Sequence, residues 1–420
     1  NAAGFALIET NARGQGNAYA GAAAHTPDAS TIFFNPAGMM NLEGDQLVVA
    51  SHIIIPKSSF TNNGSTNAAS AGGGAISGSN SDGGFDAFVP NLYWVKQISE
   101  DMKFGLGMNS PFGLAIKYDD TWVGRYHAVV SDLKIINTNP SIAYKVSETV
   151  SIGGGLNFML ADVTLTSAID FAAVLSQTPG TADGFVELTG DNFEDIAVGF
   201  NLGLLYSLSE ATTLGFSYRS EVEIDVEGDA NFTVPSAATL VFSSGQFIDT
   251  GLTAGITLPS SLSVSVSHKQ DKLNYLADIT WTGWSSFDEL RIKFQNPNQS
   301  DGVTTEDWDD SLRYSIGLDY QYSENLQLRT GLAIDQTPVP SPERRTPRLP
   351  GNDRTWVSFG MSYSIDSEFS VDVGYSHLMI DDAEVNNTLE SEGSNNVKAT
   401  LIGTYEASVD ILSVQLNWNY

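Results

Sequence analysis

Apolar and polar residues alternate with a period of two along most of the chain after residue 43. The clearest example runs from Leu312 to Tyr322, where leucine, isoleucine and tyrosine interleave with polar residues and glycine. The segment from Leu412 to Tyr420 shows the same pattern. Successive side chains of a strand point to opposite faces, so the pattern predicts β-strands with one apolar face. We assign these apolar faces to lipid, with tyrosines near the strand ends at the membrane interfaces.

Short polar turns separate many of these segments. Six of them join two strand-like segments with almost no loop, at residues 98–101, 146–149, 208–211, 269–272, 322–325 and 365–368. Seven longer polar stretches lie between the turns, at residues 58–84, 118–128, 167–194, 227–251, 296–310, 338–352 and 381–396. These thirteen connections imply fourteen strands. Their alternation is typical of an outer-membrane barrel, which has brief periplasmic turns and long extracellular loops.

Two other fold classes fit the pattern less well. A soluble β-sandwich also alternates, but it seldom keeps fourteen strands in up-and-down order with short turns on one side only. No run of about 18 apolar residues occurs, which excludes ordinary transmembrane helices and leaves a barrel possible. We therefore predict an all-β transmembrane fold, in which residues 44–420 form a 14-stranded antiparallel barrel and both termini are periplasmic.

The first 43 residues differ from the rest of the chain. They are rich in alanine and glycine and end in an Asn35-Pro36-Ala37 sequence within Phe33–Met40. Asn35 is a good helix cap and Pro36 a good first helical residue, so a short helix is expected to begin here. The contrast predicts a small plug domain, residues 1–43, associated with a large sheet.

Composition and motifs argue against several functions. The 20 basic and 50 acidic residues give a net charge of −30, which repels nucleic acid. Cysteine is absent, and the five histidines show no metal-ligand spacing. No G-x-S-x-G elbow occurs, so we predict no catalytic residues, metal or cofactor; a lipase with a dispersed Ser-His pair is the enzymatic alternative. The N-terminus lacks a basic, apolar secretion signal, so we expect the chain as given to be already processed.

Several motifs resemble the FadL family of bacterial outer-membrane transporters for long-chain fatty acids and other hydrophobic compounds. They include Gly4-Phe5, residues 14–21 and 35–37, and later residues 110–114, 122–126, 218–222, 281–285, 337–340, 349–354 and 370–374. The end of the chain, Asn417–Tyr420, is similar to the C-terminal signature of outer-membrane proteins, although phenylalanine is the commoner last residue. The resemblance implies that residues 1–43 are a hatch inside the barrel lumen.

The third predicted strand, Met102 to Lys117, contains a proline. Pro111 offers no amide hydrogen to a ladder and Gly113 bends easily, so pairing is expected to break here. From the residues alone, a bulge or an early end of the strand explains the pattern as well. The resemblance implies an inward kink that opens the wall towards the membrane. The residues that would border this lateral exit are Ser110, Pro111, Phe112, Gly113 and Leu114.

The resemblance also implies where ligands would bind. An extracellular groove would be formed by Trp122, Tyr126, Ile169, Phe171, Val174 and Leu175, although these loops can equally pack on the barrel rim. A pocket beside the hatch would involve Phe5, Leu7 and Ile8, and the plug near the wall opening would be shaped by Asn35, Pro36 and Ala37. A carboxylate ligand needs a buried cation, for which Arg125 and Arg354 are candidates; pairing with neighbouring carboxylates is their alternative role.

These observations predict a transporter of the bacterial outer membrane for passive uptake of hydrophobic compounds, with long-chain fatty acids as the favoured cargo. Aromatic or aliphatic hydrocarbons by the same route, a water-filled porin and an adhesin are the alternatives. The expected partners are hydrophobic small molecules, outer-membrane lipid and lipopolysaccharide, and the acidic loops can bind divalent cations or simply be solvated. We expect a monomer.

Overall fold

The computed structural model describes residues 4–67, 73–390 and 398–420. Nearly all of the chain after residue 45 in these ranges is antiparallel strand. The strands are β1 (Gln46–Asn62), β2 (Ala87–Ser99), β3 (Met102–Asn109), β4 (Gly113–Lys117), β5 (Val130–Lys145), β6 (Val150–Asp170), β7 (Asp183–Asp191), β8 (Ala197–Ser207), β9 (Thr212–Arg219), β10 (Val222–Thr233), β11 (Thr250–Leu258), β12 (Ser261–Gln270), β13 (Leu273–Thr282), β14 (Glu289–Phe294), β15 (Gly302–Thr305), β16 (Ser311–Gln321), β17 (Leu326–Asp335), β18 (Arg354–Ser364), β19 (Phe369–Thr388) and β20 (Thr400–Asn419).

These segments form one closed barrel. Six passes through the wall consist of two consecutive segments each, namely β3 with β4, β7 with β8, β9 with β10, β11 with β12, β13 with β14 and β15 with β16. With the eight unbroken strands they make fourteen passes within the described residues. The wall closes where β1 pairs with β20, from Gln46 opposite Asn419 to Asn62 opposite Gly403. The predicted 14-stranded antiparallel barrel is confirmed.

The connections follow the predicted alternation. Two to four residues join β2 to β3, β5 to β6, β8 to β9, β12 to β13, β16 to β17 and β18 to β19, where the six turns were expected. The longer connections are at the other end of the barrel. The predicted loop 167–194 is strand in part, because β6 and β7 continue as a paired hairpin up to Asp170 opposite Asp183. Polar composition marked this region as loop, whereas hydrogen bonding to a neighbour extends the strands.

The two faces of the wall have opposite character. On β16, Tyr314 and Ile316 are exposed while Arg313 and Ser315 are buried. The last strand presents Leu412, Val414, Leu416, Trp418 and Tyr420 outwards. An apolar outer face with aromatic residues near its ends is typical of a barrel in a lipid bilayer. In the described part of the chain, none of the helices combines the length and hydropathy that crossing a membrane requires.

The N-terminal segment, residues 4–43, reaches from one side of the wall to the other. Its helices are Ala12–Gln15, Thr31–Phe34 and the 3₁₀-helix Pro36–Asn41. The Asn35 side chain accepts a hydrogen bond from the Ala37 amide at 3.1 Å, which confirms that a helix begins here, although its geometry is 3₁₀. The first helix packs on β18, β19 and β20, whereas the 3₁₀-helix packs on β5, β6 and β8.

Buried ion pairs hold this segment to the wall. Asp372 of β19 accepts hydrogen bonds from Arg13 Nε and Arg329 Nη1, both at 3.0 Å, and from Asn417 Nδ2 at 2.6 Å. On β16, Asp319 lies 3.1 Å from His25 Nε2. Removing one partner from such a buried network leaves an uncompensated charge, which costs about 3–5 kcal/mol.

Wall glycines let the segment lie directly against the strands. A Cβ atom added at Gly331 of β17 would overlap the backbone of Asn17, and one added at Gly215 of β9 would overlap Ala23 O. A glycine has no side chain, so the backbone of a second segment approaches without displacing anything. Part of the glycine content of the chain is therefore explained by the fit of the N-terminal segment.

Candidate transport site

The wall is interrupted in its third pass. β3 ends at Asn109 and β4 begins at Gly113. Below this point β2 pairs with β3 as far as Leu92 opposite Met108, and above it β4 pairs with β5. Between Leu92 and the isolated bridge from Gly84 to Ile116, the described residues of β2 form ladder pairs with β1 alone. The sequence prediction of a break at Pro111 therefore matches the strand pattern.

The start of the N-terminal segment takes the place of the missing neighbour. Leu7 N donates to Pro111 O at 2.8 Å, and Gly113 N donates to Phe5 O at 2.9 Å. Ala6 and Phe112 form an antiparallel bridge between these two bonds. The inward-turned residues 110–112 are thus paired inside the barrel instead of in the wall.

Both edges of this gap contain a proline. Pro111 lies on the inward-turned segment, and the exposed Pro90 lies on β2 opposite Ser51 of β1. An unpaired amide in contact with lipid costs several kcal/mol, and proline has no amide hydrogen to leave unpaired. The sequence is therefore adapted to an interrupted ladder at this level.

An apolar cavity of about 80 Å³ lies above the gap on the loop side. Its lining comes from β4, β5, β6, β7, β10, β11 and β14, and includes Leu114, Leu133, Val163, Leu188, Val226 and Ile256. Phe5 closes its lower end. We call this space the outer cavity.

Two ionisable residues interrupt this apolar lining. Glu306 and Arg348 come from different loops, and both border the outer cavity. Glu306 is 4% exposed and accepts a hydrogen bond from Trp308 Nε1 at 2.9 Å. Burial raises the pKa of Glu306 to about 8, so this carboxyl is mostly neutral at pH 7. Burial lowers the pKa of Arg348 to about 10, which leaves the guanidinium charged.

Arg348 is held in place by the wall. Its Nη1 donates to Val130 O at 3.0 Å and to Ser131 Oγ at 2.8 Å, both on β5. With Glu306 neutral, these two residues give the cavity a net positive charge. Such a site fits a molecule with a long apolar part and one anionic group.

An aromatic cluster separates the outer cavity from a second space. The Phe5 ring lies 4.9 Å from Trp284, 5.6 Å from Phe287, 5.8 Å from Phe112 and 6.1 Å from Trp308, measured between centroids. A Cβ atom at Gly4, whose φ is +65°, would overlap both tryptophans. The start of the N-terminal segment is therefore fixed by aromatic packing as well as by hydrogen bonds.

The second space, which we call the inner cavity, has a volume of about 120 Å³. Leu7, Ile8, Phe33, Pro111 and Phe112 form its apolar side. The predicted pocket residues thus divide between two spaces, with Phe5 at the outer cavity and Leu7 and Ile8 at the inner cavity.

The Asn35-Pro36-Ala37 sequence lies elsewhere in the barrel. Asn35 Nδ2 donates to Ala23 O at 2.7 Å and to Leu204 O of β8 at 3.1 Å. A Cβ atom at Gly153 of β6 would meet Pro36 and Ala37. The structure therefore places these residues against β6 and β8, and brings Phe5 and Leu7 to the wall gap instead.

The predicted groove residues belong to two loop clusters. Trp122 is fully buried; it stacks on Tyr118 at 4.1 Å and donates from Nε1 to Ala128 O at 2.8 Å. Phe171 is also fully buried, in a short helix, Phe171–Val174, and contacts Phe247 at 5.0 Å. The helix follows directly on β6, which continues to Asp170.

A third cavity, of about 190 Å³, lies between these clusters. Tyr126, Ile169 and Val174 border it, whereas Leu175 packs half-buried in the cluster around Phe171. Three of the six predicted groove residues therefore border one loop cavity. Trp122 and Phe171 lie in the two buried clusters beside it.

The two predicted arginines have different surroundings. Arg125 Nε pairs with Asp183 at 2.8 Å, Nη2 donates to Tyr126 Oη at 2.9 Å, and Nη1 donates to Ser77 O at 2.5 Å. This is the structural pairing considered as its alternative role. Arg354 is buried on β18 and borders a fourth cavity, of about 80 Å³, beside Leu349.

Sequence reasoning missed Arg348, Glu306 and Trp308. Nothing in the sequence near Arg348 distinguishes it from Arg344 and Arg345, and only folding of its loop over β5 brings it to the cavity. Glu306 is one of 50 acidic residues, and its burial is the feature that sets it apart. In the described residues, no group of three or more histidine and acidic side chains is arranged to hold a metal ion.

Comparison with known proteins agrees with this architecture. The family described as "Outer membrane protein transport protein (OMPP1/FadL/TodX)" matches residues 1–420. Outer membrane protein P1 of Haemophilus influenzae is 31% identical and covers 100% of this chain and 96% of its own. The long-chain fatty acid transport protein of Escherichia coli O6:H1 is 30% identical, over 90% of this chain and 86% of its own.

The fold has a solved counterpart. The crystal structure of a Pseudomonas aeruginosa FadL homologue superposes with a TM-score of 0.90 at 22% identity, and covers 99% of this chain and 100% of the other. The family match over the whole chain, the relatives at 31% and 30% identity and the closed 14-stranded barrel agree. This chain is therefore a bacterial outer-membrane protein of the OMPP1/FadL/TodX transport family.

Proposed function

We propose that this protein carries long-chain fatty acids passively from the extracellular side into the outer membrane. The ligand enters between the extracellular loops and binds in the outer cavity. It then passes Phe5 and leaves sideways through the gap in the third pass. The residues bordering this exit are those from Ser110 to Leu114.

The outer cavity is the observation that carries this proposal. Its walls are apolar, and its charged side chain, Arg348, lies beside a carboxyl group that burial keeps protonated at pH 7. A bound carboxylate therefore meets one cation without a competing anion. Charge-assisted hydrogen bonds of this kind are the strong ones. The long-chain fatty acid transport protein among the relatives supports the same ligand class.

Transfer into lipid needs no energy source. Each CH₂ group moved from water to an apolar environment contributes about 0.8 kcal/mol, so a long acyl chain moves downhill into the membrane. A wet pore that emptied into the periplasm would forfeit this gain. The lateral route through the gap keeps the chain in contact with apolar surface.

The N-terminal segment acts as the hatch of this transporter. It is bonded to opposite sides of the wall, and its first described residues occupy the gap through the Leu7 and Phe5 hydrogen bonds. A shift of these few residues opens the exit while the remainder of the hatch stays in place. The barrel functions as a monomer, because β1 and β20 of a single chain close its wall. Its acidic loops lie among lipopolysaccharide, with both termini in the periplasm.

Uptake by cells tests the proposal. Cells carrying the parent protein should take up radiolabelled oleate faster than cells with an empty vector. Arg348→Gln should lower oleate uptake about tenfold, since a hydrogen bond to a charged group contributes roughly 1.5–3 kcal/mol. Uptake of hexadecane, which has no carboxylate, should be unchanged by this substitution.

A second substitution tests the exit. A Cβ atom at Gly113 lies 3.0 Å from Leu7 Cδ1, so Gly113→Val narrows the gap beside Leu7 and should reduce uptake of oleate and hexadecane alike. Gly255→Val is the matched control, because the nearest atom to a Cβ there is 3.6 Å away on Asp225. Equal uptake by parent, Gly113→Val and Gly255→Val would contradict the lateral exit.

A hydrocarbon carrier is the second candidate function. It is favoured by the almost wholly apolar lining of the outer cavity. Toluene or hexadecane uptake without oleate uptake by the parent would support it. In that case Arg348 would serve the loop structure alone.

A further inference from the structure

The inner cavity has a polar side that transport of an apolar solute does not require. Hydroxyl groups from four neighbouring strands border it, contributed by Ser217, Ser261, Ser263, Thr280, Thr282 and Ser311. The opposite side is apolar and includes Pro111 and Phe112 at the wall gap. The cavity is therefore amphipathic, unlike the outer cavity.

Arg313 of β16 supplies unused hydrogen-bond donors to this cavity. Its side chain is 95% buried, and Nη2 donates to Ala18 O at 2.8 Å. Its guanidinium carbon lies 5.1 Å from the centre of the Trp356 ring. Within the described residues, Nε and Nη1 are buried and have no hydrogen-bond partner. Buried donors without acceptors are unfavourable, so this position suits an acceptor supplied by a ligand.

The other charged side chains that border the inner cavity already have interaction partners. Arg219 Nη1 donates to Asn157 Oδ1 at 2.7 Å and Nη2 donates to Phe33 O at 2.8 Å. Asp278 accepts hydrogen bonds from Ser265 Oγ and, at 2.8 Å, from Thr280 Oγ1. Asp335 is the cross-strand neighbour of Arg313 and has its own interactions. Among these groups Arg313 has the unfilled donors, so it is the one positioned to receive an anion.

We propose that the inner cavity is a second binding station that holds the carboxylate of a long-chain monocarboxylic acid on Arg313 during exit. This inference rests on the proposed function. The head group binds the hydroxyl-lined side, which directs the acyl chain towards Pro111, Phe112 and the gap. The acid therefore enters the membrane chain first, and the carboxylate leaves Arg313 last. A hydrocarbon has no acceptor for the Arg313 donors, so it passes through the inner cavity without binding to Arg313.

Selective loss of carboxylate transport tests the station. Arg313→Met removes the donors at similar length, and it should lower uptake of radiolabelled oleate roughly tenfold, as expected for a lost charge-assisted hydrogen bond. Hexadecane uptake should stay within about twofold of the parent, which also shows that the hatch remains seated. Arg313→Lys retains the charge with a different donor geometry, and its oleate uptake should fall between those of the parent and Arg313→Met.

The outcomes separate the two proposals. If the parent takes up oleate and Arg313→Met does so at the same rate, the station is wrong and the proposed function stands. Equal loss of oleate and hexadecane uptake would overturn the station as well, because Arg313 would then only support the hatch through Ala18. Absence of oleate uptake by the parent would overturn both. If Arg313→Met fails to assemble, as judged by heat-dependent migration in detergent gels, the same comparison of the two substrates is made with Arg313→Lys.

Discussion

Under the proposed function, neutralisation of Glu306 makes fatty-acid binding in the outer cavity depend on pH, and the raised pKa of this carboxyl gives the direction. The pKa of this carboxyl is raised to about 8, mainly by burial and to a smaller extent by Glu390, against the opposing effects of the Trp308 hydrogen bond, Arg348 and Arg344. Below that pH the outer cavity has the charge of Arg348 alone. Above it, Glu306 becomes an anion that competes with a ligand carboxylate for the same guanidinium.

The size of the effect follows from the titration. If the protein binds the anion only with Glu306 neutral, the competent fraction falls from about 0.9 at pH 7 to about 0.1 at pH 9, and the apparent Kd rises about tenfold, or about 1.4 kcal/mol. A fatty-acid carboxylate dissolved in water titrates in the range of glutamate, near 4.3, so the free ligand stays ionised from pH 7 to pH 9. Vesicles lacking the protein correct for oleate that is inserted in the lipid, where a carboxyl titrates at higher pH. The pH dependence therefore belongs to the protein.

Binding of radiolabelled oleate to outer-membrane vesicles measures this change, with vesicles lacking the protein as the blank. Glu306→Gln keeps an oxygen acceptor for Trp308 Nε1 and cannot ionise, so its oleate affinity should be flat from pH 7 to pH 9. The same substitution should raise thermal stability at pH 9 more than at pH 6. In the parent, Glu306 is ionised in the unfolded chain above about pH 4.3 but stays neutral in the folded protein up to about pH 8, so the free energy of unfolding falls as the pH rises between these values. Glutamine removes this penalty, which is larger at pH 9 than at pH 6. A parent affinity that is flat over this range, or an equal decline in parent and variant, would refute the reasoning.

Three further substitutions test the hatch, the partition and the loops. Gly331→Val pushes a side chain into the hatch and should raise ion conductance in planar bilayers, whereas Gly255→Val should leave conductance low; equal conductance would show that the hatch seats without the glycine. Phe5→Ala removes the partition between the two cavities and should raise hexadecane uptake severalfold in cells, and an unchanged rate would place the barrier elsewhere. Trp122→Ala removes a fully buried ring from the loops and should lower the free energy of unfolding by about 3–5 kcal/mol in urea titrations, while an effect below about 1 kcal/mol would mean that the loop cluster collapses to fill the space.

The barrel was predictable because its determinants are local. Alternation along β16 and β20 and the turns between strands can be read residue by residue, and each has one physical interpretation in a membrane wall. Strand ends were less predictable. β6 and β7 continue into the predicted loop because they hydrogen-bond to each other across a hairpin. Polar composition gives no sign of it.

The site was only partly predictable for the same reason. Pro111 and Gly113 mark the break by their own backbone properties, so the sequence locates it. The partner of the broken strand is Phe5 to Leu7, about a hundred residues away, and no local rule pairs them. Arg348 and Arg313 acquire their roles from burial beside cavities, which depends on the whole barrel.

Two parts of the N-terminal segment are attached to the wall with unequal strength. We call residues 5–7 the latch and the region around Arg13 the seal. Residues 5–7 are joined to the wall gap by two backbone hydrogen bonds of about 1 kcal/mol each, together with aromatic packing. The region around Arg13 is held by a network of buried charges on β19, which is far costlier to break. Under the proposed function, a ligand therefore releases the latch while the seal remains closed to ions. A cell would then admit hydrophobic compounds through such a protein without giving up the permeability barrier of its outer membrane.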